Sequence, residues 1–214
     1  MQLREIRLLT HNDLANAVDV MSKAFFYDPL WVYLYNNEKK RRKYLEKFFR
    51  VFLSVFINKK NVYGIGYPVQ AVAVWAIPHN TNAKSKINSP IRVLFSMTKL
   101  FFSPFAIKLF KVFSVFSSFA TLEKKYAPNI HYKLESIGVH PDFQGKGLST
   151  KLIEPFISEA QMQNISVYTE TLTPLNVGLY EHFGFKTMEE RSFPKMKLTV
   201  WSLLISYPIN GNHS

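Results

Sequence analysis

The spacing of apolar residues changes period several times along the chain. Residues 3–9 alternate loosely and read as a strand. Thr10 to Asp13 then supplies cap side chains for a helix whose Leu14, Ala17, Val18, Met21 and Phe25 share one face. Asp28-Pro29 ends that helix, because a residue before proline is pushed out of the helical region. Tyr44, Leu45, Phe48, Phe49, Phe52 and Phe56 recur at helical spacing behind a basic run. A hairpin follows: Asn61–Ile65, a turn at Gly66-Tyr67-Pro68, and Val69–Ile77, whose Ala71-Val72-Ala73-Val74-Trp75 suits a strand buried on both faces.

Residues 91–126 are different in kind. Eight of the 19 Phe fall between Phe95 and Phe119, interrupted by Lys99, Lys108 and Lys111, which predicts two amphipathic helices broken at Ser103-Pro104. The segment reads as helical cover over a core or a substrate cleft, with a membrane-surface anchor as the other reading of basic residues interleaved with Phe. From Tyr132 the pattern is strand (132–139), tight loop (140–146), helix (147–163), strand (166–171), short helix (175–183), strand (185–189) and last strand (197–205). Strands separated by helices indicate an α/β sheet. The absence of repeats, linkers and low-complexity tracts predicts one domain over 1–207, with a flexible tail at 208–214.

Composition narrows the chemistry. The 214 residues hold no Cys, which excludes a disulfide framework, thiolate catalysis, Cys-ligated zinc and iron–sulfur clusters. With 47% hydrophobic and 20% charged residues the chain is globular rather than disordered. Its formal charge of +12 suits phosphorylated partners in general, and part of it sits in Glu38-Lys39-Lys40-Arg41-Arg42-Lys43. That run reads as the solvated first turns of the amphipathic helix, not as a nucleic-acid patch. Met1-Gln2-Leu3-Arg4-Glu5 lacks a secretory layout and no stretch reaches about 18 uninterrupted apolar residues, so a cytoplasmic location is expected. The six His show no metal-ligand spacing, so no metal is expected, and His140 is expected to point to solvent.

The most informative stretch is Val139-His140-Pro141-Asp142-Phe143-Gln144-Gly145-Lys146-Gly147-Leu148-Ser149, between a strand and a helix. Two glycines permit a tight turn and close approach of a ligand, and free N–H groups at the helix start suit an anion, with Lys146 adding charge. It is neither a Walker A loop nor a dinucleotide fingerprint, whose glycine spacings differ.

Gln144-Gly145-Lys146-Gly147-Leu148-Ser149, following the strand Leu134-Glu135-Ser136-Ile137-Gly138-Val139, resembles the acetyl-CoA-binding motif of the GNAT superfamily of N-acetyltransferases. Asn176 and Tyr180-Glu181-His182-Phe183-Gly184-Phe185 resemble that family's second motif, in the correct order. Ala24-Phe25-Phe26-Tyr27-Asp28-Pro29, Gln70–Pro78, Gly138–Asp142 and Trp201 are similar to the small-molecule branch that includes puromycin N-acetyltransferase, whereas 85–130 match poorly. The resemblance implies a central mixed, mostly antiparallel twisted sheet of about seven strands flanked by helices, with a helical insertion at about 89–126.

It also implies acetyl-CoA as cosubstrate and a primary amine of a small molecule as acceptor, joined by direct attack in a ternary complex. Ile137, Val139, Gln144, Gly145, Lys146, Gly147, Leu148, Ser149 and Asn176 would bind the cosubstrate, its arm lying along Ile137 and Val139 like an added strand. Tyr180 would be the acid near the sulfur and Glu135 the proton acceptor, with Glu170 as the other candidate base. Asp28 and Tyr27 would line the acceptor side. Strict alternation along the strand would place Val139, Ile137, Glu135 and Lys133 on one side. A non-catalytic membrane-peripheral or partner-binding protein of this fold, or a protein-lysine acetyltransferase, are the alternatives.

Overall fold

In a computed structural model the described residues are 6–78 and 112–207. The first of the two helices expected in 91–126, the break at Ser103-Pro104 and the tail at 208–214 lie outside them.

Seven strands form one sheet in the order β1-β2-β3-β4-β5-β7-β6. They are β1 (Ile6–Leu8), β2 (Val62–Ile65), β3 (Ala71–Ala76), β4 (His131–Val139), β5 (Ser166–Thr171), β6 (Lys186–Phe193) and β7 (Leu198–Ile205). Every neighbouring pair is antiparallel except β4 and β5. One face carries α1 (Leu14–Ala24), α2 (Pro29–Leu34), α3 (Glu38–Asn58) and α4 (Phe113–Tyr126); the other carries α5 (Leu148–Met162) and α6 (Pro174–His182).

This arrangement makes β3 the centre of the molecule, and its run of small and branched residues fits the place. Val72 and Val74 join the core beneath α1 and α3, while Ala71, Ala73 and Trp75 join the core beneath α5. Trp75 stacks on Phe156 at 4.8 Å and satisfies its indole by donating Nε1–H to Leu152 O (3.1 Å). The aromatic stripe on α3 buries Leu45, Phe49, Leu53 and Phe56 against α1 and the sheet.

Three local readings of the sequence are corrected. Asp28-Pro29 does more than stop a helix: α1 ends at Ala24, and Asp28 caps a new helix by accepting from Leu30 N (3.0 Å) with Pro29 in its first turn. Proline is tolerated there because its missing N–H had no helical partner anyway. The edge strand β6 continues past Glu189 to Phe193, where it pairs with Leu198. Its charged residues suit an exposed edge, where they oppose strand addition. In the basic run, Arg41 is buried: it donates to Tyr35 O (2.9 Å) and lies 4.5 Å over the Phe26 ring.

Candidate active site

The parallel ladder between β4 and β5 covers only His131↔Ser166 to Leu134↔Thr169. Beyond it β4 runs on to Val139, held on its other side by β3 through Ala71↔Val139, and β5 runs on to Thr171, held by β7 through Thr171↔Trp201. The sheet is therefore split between Glu135–Val139 and Glu170–Thr171. The backbone edge of Ile137 and Val139 that faces the split has no strand paired to it in this ladder.

At the mouth of the split the chain turns from β4 into α5. Gly145 and Gly147 hold φ of +71° and +69°, a region that disfavours side chains, and a Cβ at either would meet nothing within 4 Å. The space a side chain would take is thus open beside the first N–H groups of α5, which have no acceptor within the helix and attract an anion. Gln144 donates Nε2–H to Val139 O (3.3 Å), tying the loop back to the strand. Lys146 donates to Asp142 O (2.9 Å) and lies over the Phe143 ring, exposed beside the loop. Leu148 sends its side chain into the core and Ser149 is half-buried, so Leu148 offers the loop its backbone alone. His140 is not a solvent-facing residue: its ring contacts Lys23 Nζ (3.0 Å) and accepts from Asp142 N (3.3 Å), fixing the turn.

A cavity of about 180 Å³ opens from the split toward α3 and α4. Glu135, Glu170, Lys133 and Ser136 line it from the sheet, and Tyr180 and Asn176 from α6. Residues from both faces of one sheet meet in a single space only because the sheet is parted there. Asp28 lines the same cavity, whereas Tyr27 is 75% exposed and stands outside it.

The expected alternation along β4 fails at the residue that matters most. Ala76 pairs with Lys133, Trp75 with Leu134 and Val74 with Ser136, leaving Glu135 as the extra residue of a β-bulge. Lys133 and Ser136 consequently share the α1–α3 face, while Ile137 and Val139 share the α5 face, so Val139, Ile137, Glu135 and Lys133 do not lie on one side.

Lys133, 3% exposed, is the hub of an acidic cluster. Its Nζ lies 2.5 Å from Glu123 on α4, 3.3 Å from Glu170 and 3.7 Å from Glu135, and His131 Nε2 lies 3.3 Å from Glu123. Burial opposes the Lys133 charge, but Glu135, Glu170 and Glu123 outweigh it and hold the ammonium firmly protonated. Glu123 is also penalised by burial, yet His131 and Lys133 hold it down to about 2. Glu135 moves the other way: burial, reinforced by Glu123 and Glu170 and only partly offset by Lys133, pushes it up to about 7. Burial raises Glu170 too, and its Oε1 makes no hydrogen bond. Glu135 is therefore the carboxyl of this cluster poised to exchange a proton near neutral pH.

On the other side of the split Tyr180 is 4% exposed and packs on Phe185, and burial pushes its hydroxyl up to about 12. A phenol held that way keeps its proton until a stronger base forms beside it. Asn176 donates Nδ2–H to Thr171 Oγ1 (3.3 Å), ordering the turn that leads into α6. The structure thus brings Glu135, Glu170, Asn176 and Tyr180 to one cavity and the Gln144–Ser149 loop to its mouth. The roles of Lys133 and Glu123 were not read from the sequence. The available signal was a lysine in the otherwise apolar Tyr132-Lys133-Leu134, since a buried ammonium requires carboxylates.

Residues 115–187, which span β4, the glycine loop, α5, β5 and α6, match the family model of the acetyltransferase (GNAT) domain. An uncharacterized N-acetyltransferase of Schizosaccharomyces pombe is 29% identical over 182 residues, covering 81% of this chain and 70% of that protein. Among solved structures, arylalkylamine N-acetyltransferase 2 from Aedes aegypti superposes with a TM-score of 0.68 at 15% identity, over 96% of this chain and 99% of its own. The polyamine N-acetyltransferase of Drosophila melanogaster does so with a TM-score of 0.63 at 11% identity, over 94% and 99%. At such identities the two structures speak to the fold, and the matched family model adds the strand–loop–helix run that parts the sheet. Residues 115–187 are thus similar to the acetyltransferase (GNAT) domain, and the sheet that holds them has the fold of these N-acetyltransferase structures.

Proposed function

We propose that the protein is an acetyl-CoA-dependent N-acetyltransferase that acetylates a primary amine of a small molecule by direct attack in a ternary complex. The observation that carries this reading is the single cavity at the split, with a carboxylate poised near neutrality on one side and a protonated phenol on the other. The residues fit the cosubstrate. The open glycine loop at the start of α5 suits a pyrophosphate, and the unpaired edge at Ile137 and Val139 suits the amides of an extended arm. Val139 N–H is the donor we assign to the thioester oxygen as charge develops there.

In the transfer the amine nitrogen forms the new C–N bond as the C–S bond breaks. Glu135 takes, directly or through a water, the proton that the bound ammonium must lose before its nitrogen can attack; the second proton leaves the nitrogen to solvent as the amide forms, and Tyr180 donates its hydroxyl proton to the departing thiolate, to be reprotonated afterwards from solvent. Tyr180 is suited to this because the hydroxyl is protonated throughout the physiological range. Lys133 positions Glu135 and limits how far its carboxyl is raised.

Calorimetric titration with acetyl-CoA in metal-free buffer tests the reading. Wild type should bind, and Gly145→Asp and Gly147→Asp should remain folded yet lose affinity, because each puts a carboxylate beside the pyrophosphate. Two unit charges about 4 Å apart cost roughly 4 kcal/mol at an intermediate dielectric. No binding by wild type at millimolar acetyl-CoA would remove the enzymatic reading, and unchanged affinity in a folded variant would place the cosubstrate elsewhere.

A further inference from the structure

The acceptor side of the cavity has two chemically distinct parts. Its floor is the acidic cluster: Glu135 and Glu170 are each 8% exposed, and Lys133 is the only ammonium among the described residues that reaches them. Its walls are aromatic. Phe48, Phe49, Phe52 and Phe56 come from α3, Phe116 and Phe119 from α4, and Phe25 and Trp31 close the end nearest Asp28.

These rings pack on one another. Phe48 stacks on Phe52 (5.6 Å) and meets Phe49 edge to face (5.2 Å), Phe25 tilts against Phe49 (5.1 Å), and Phe116 meets Phe119 edge to face (5.9 Å). With edge and face contacts mixed among them, they line the cavity as an apolar, aromatic wall. Among the described residues, the charged side chains that line the cavity are Lys133, Glu135, Glu170 and Asp28.

We infer that the acceptor is a single-headed lipophilic amine, an aryl- or alkyl-ammonium whose charged end sits at Glu135 and Glu170 and whose apolar body lies among the α3 and α4 phenyl rings. The inference rests on the acetyltransferase reading and names the substrate class for it. An arriving ammonium adds positive charge to a cluster in which Glu123, Glu135 and Glu170 outnumber Lys133, and offers a donor to Glu170 Oε1, which has none. A cavity of about 150 Å³ admits benzene, so about 180 Å³ that also receives the reacting end of the cosubstrate limits the acceptor to a small apolar body. A set of sugar hydroxyls, or a second ammonium held away from Asp28, would be stripped of water among phenyl rings, which disfavours aminoglycosides and long polyamines.

A binding consequence follows from the charges. Lys133, Glu170 and Glu123 surround Glu135, with His131 and Tyr168 behind them and Asp28 across the cavity, so an arriving ammonium favours the ionised carboxylate. Binding at neutral pH should expel a proton from Glu135 before that carboxylate takes one back from the amine.

Thiol release by the purified chain with acetyl-CoA, read across 2-phenylethylamine, hexylamine, spermidine, an aminoglycoside and a lysine peptide, tests the proposal. At least a 100-fold higher kcat/KM for the first two is expected. Calorimetry of 2-phenylethylamine in two buffers of different ionisation enthalpy should show proton release. Phe48→Asp, with folding checked by its melting curve, should narrow the preference over spermidine at least tenfold, while Phe48→Leu should keep it. Preference for spermidine, the aminoglycoside or the peptide overturns the inference and leaves the acetyltransferase reading standing. Failure of acetyl-CoA to bind, with 2-phenylethylamine still bound and proton released, removes the acetyltransferase reading and supports the pocket's ligand class.

Discussion

Two residues apart on β4, Lys133 keeps its charge and Glu135 surrenders its own more readily than a free carboxylate does. In the proposed reaction that contrast sets the pH window. As the proposed base, Glu135 would accept a proton only when ionised, above about 7, and its help would be needed only while the amine is still protonated. Glu135→Gln should therefore cost most between about pH 7 and the amine's own pKa, and less on either side. A flat loss across pH would make Glu135 a structural carboxylate and move the base to Glu170 or water. Stability carries the same signature. A carboxylate raised above its unfolded value favours folding fully at low pH and loses that contribution as pH rises through the folded value. The protein without ligand should melt lower as pH goes from about 4.5 to above 7, and Glu135→Gln should flatten that slope. Tyr180→Phe keeps the ring against Phe185, so acetyl-CoA affinity should hold while turnover falls by roughly 10²-fold, the range for losing one general acid. Wild-type turnover in that variant would show that solvent suffices as the acid.

Elements place these residues, and the sequence displays elements better than their irregularities. The alternation and run of β3, the amphipathic face of α3 and the glycine loop before α5 were all legible, because burial on both faces, a 3.6-residue stripe and a turn requiring positive φ each leave a local pattern. The bulge at Glu135 leaves none. It is set by how β3 and β4 register against each other, so the sequence reading wrongly grouped Lys133 with Ile137. Helix α2 was missed for a related reason: Asp-Pro stops one helix and starts another, and only the packing of Leu30, Trp31 and Leu34 decides which. Gly138 offers a test at this scale. A Cβ there would stand 2.8 Å from Met21 Sδ and 2.9 Å from Ala24 Cβ, so α1 lies close on β4 because that residue is glycine. Gly138→Ala should cost about 1–3 kcal/mol of stability, the range for overpacking, measured by chemical denaturation. An unaffected midpoint would mean that α1 yields without cost.

The whole molecule is organised around a sheet that is continuous on the β3 and β7 sides and parted in the middle. The short parallel ladder joins two antiparallel halves, and its early end lets a space run from the α3–α4 face through to α6. The strand–helix order in the sequence indicates an α/β sheet, but where the ladder stops depends on long-range pairing that no window of residues records. The charge of +12 says little about this site, whose floor is acidic; in the proposed reading it would favour the approach of a phosphorylated cosubstrate to the exposed loop at Lys146. Among the described residues no helix is long and apolar enough to cross a membrane. The central claim is that the parted edge of β4 receives the acetyl-CoA arm as an added strand. Amide hydrogen exchange with and without acetyl-CoA measures that directly. Ser136–Val139 and the loop at Gly145–Ser149 should gain protection together, while β3 and β7, already paired on both sides, change little. Protection confined to the loop, or appearing at a sheet edge such as β6, would contradict it.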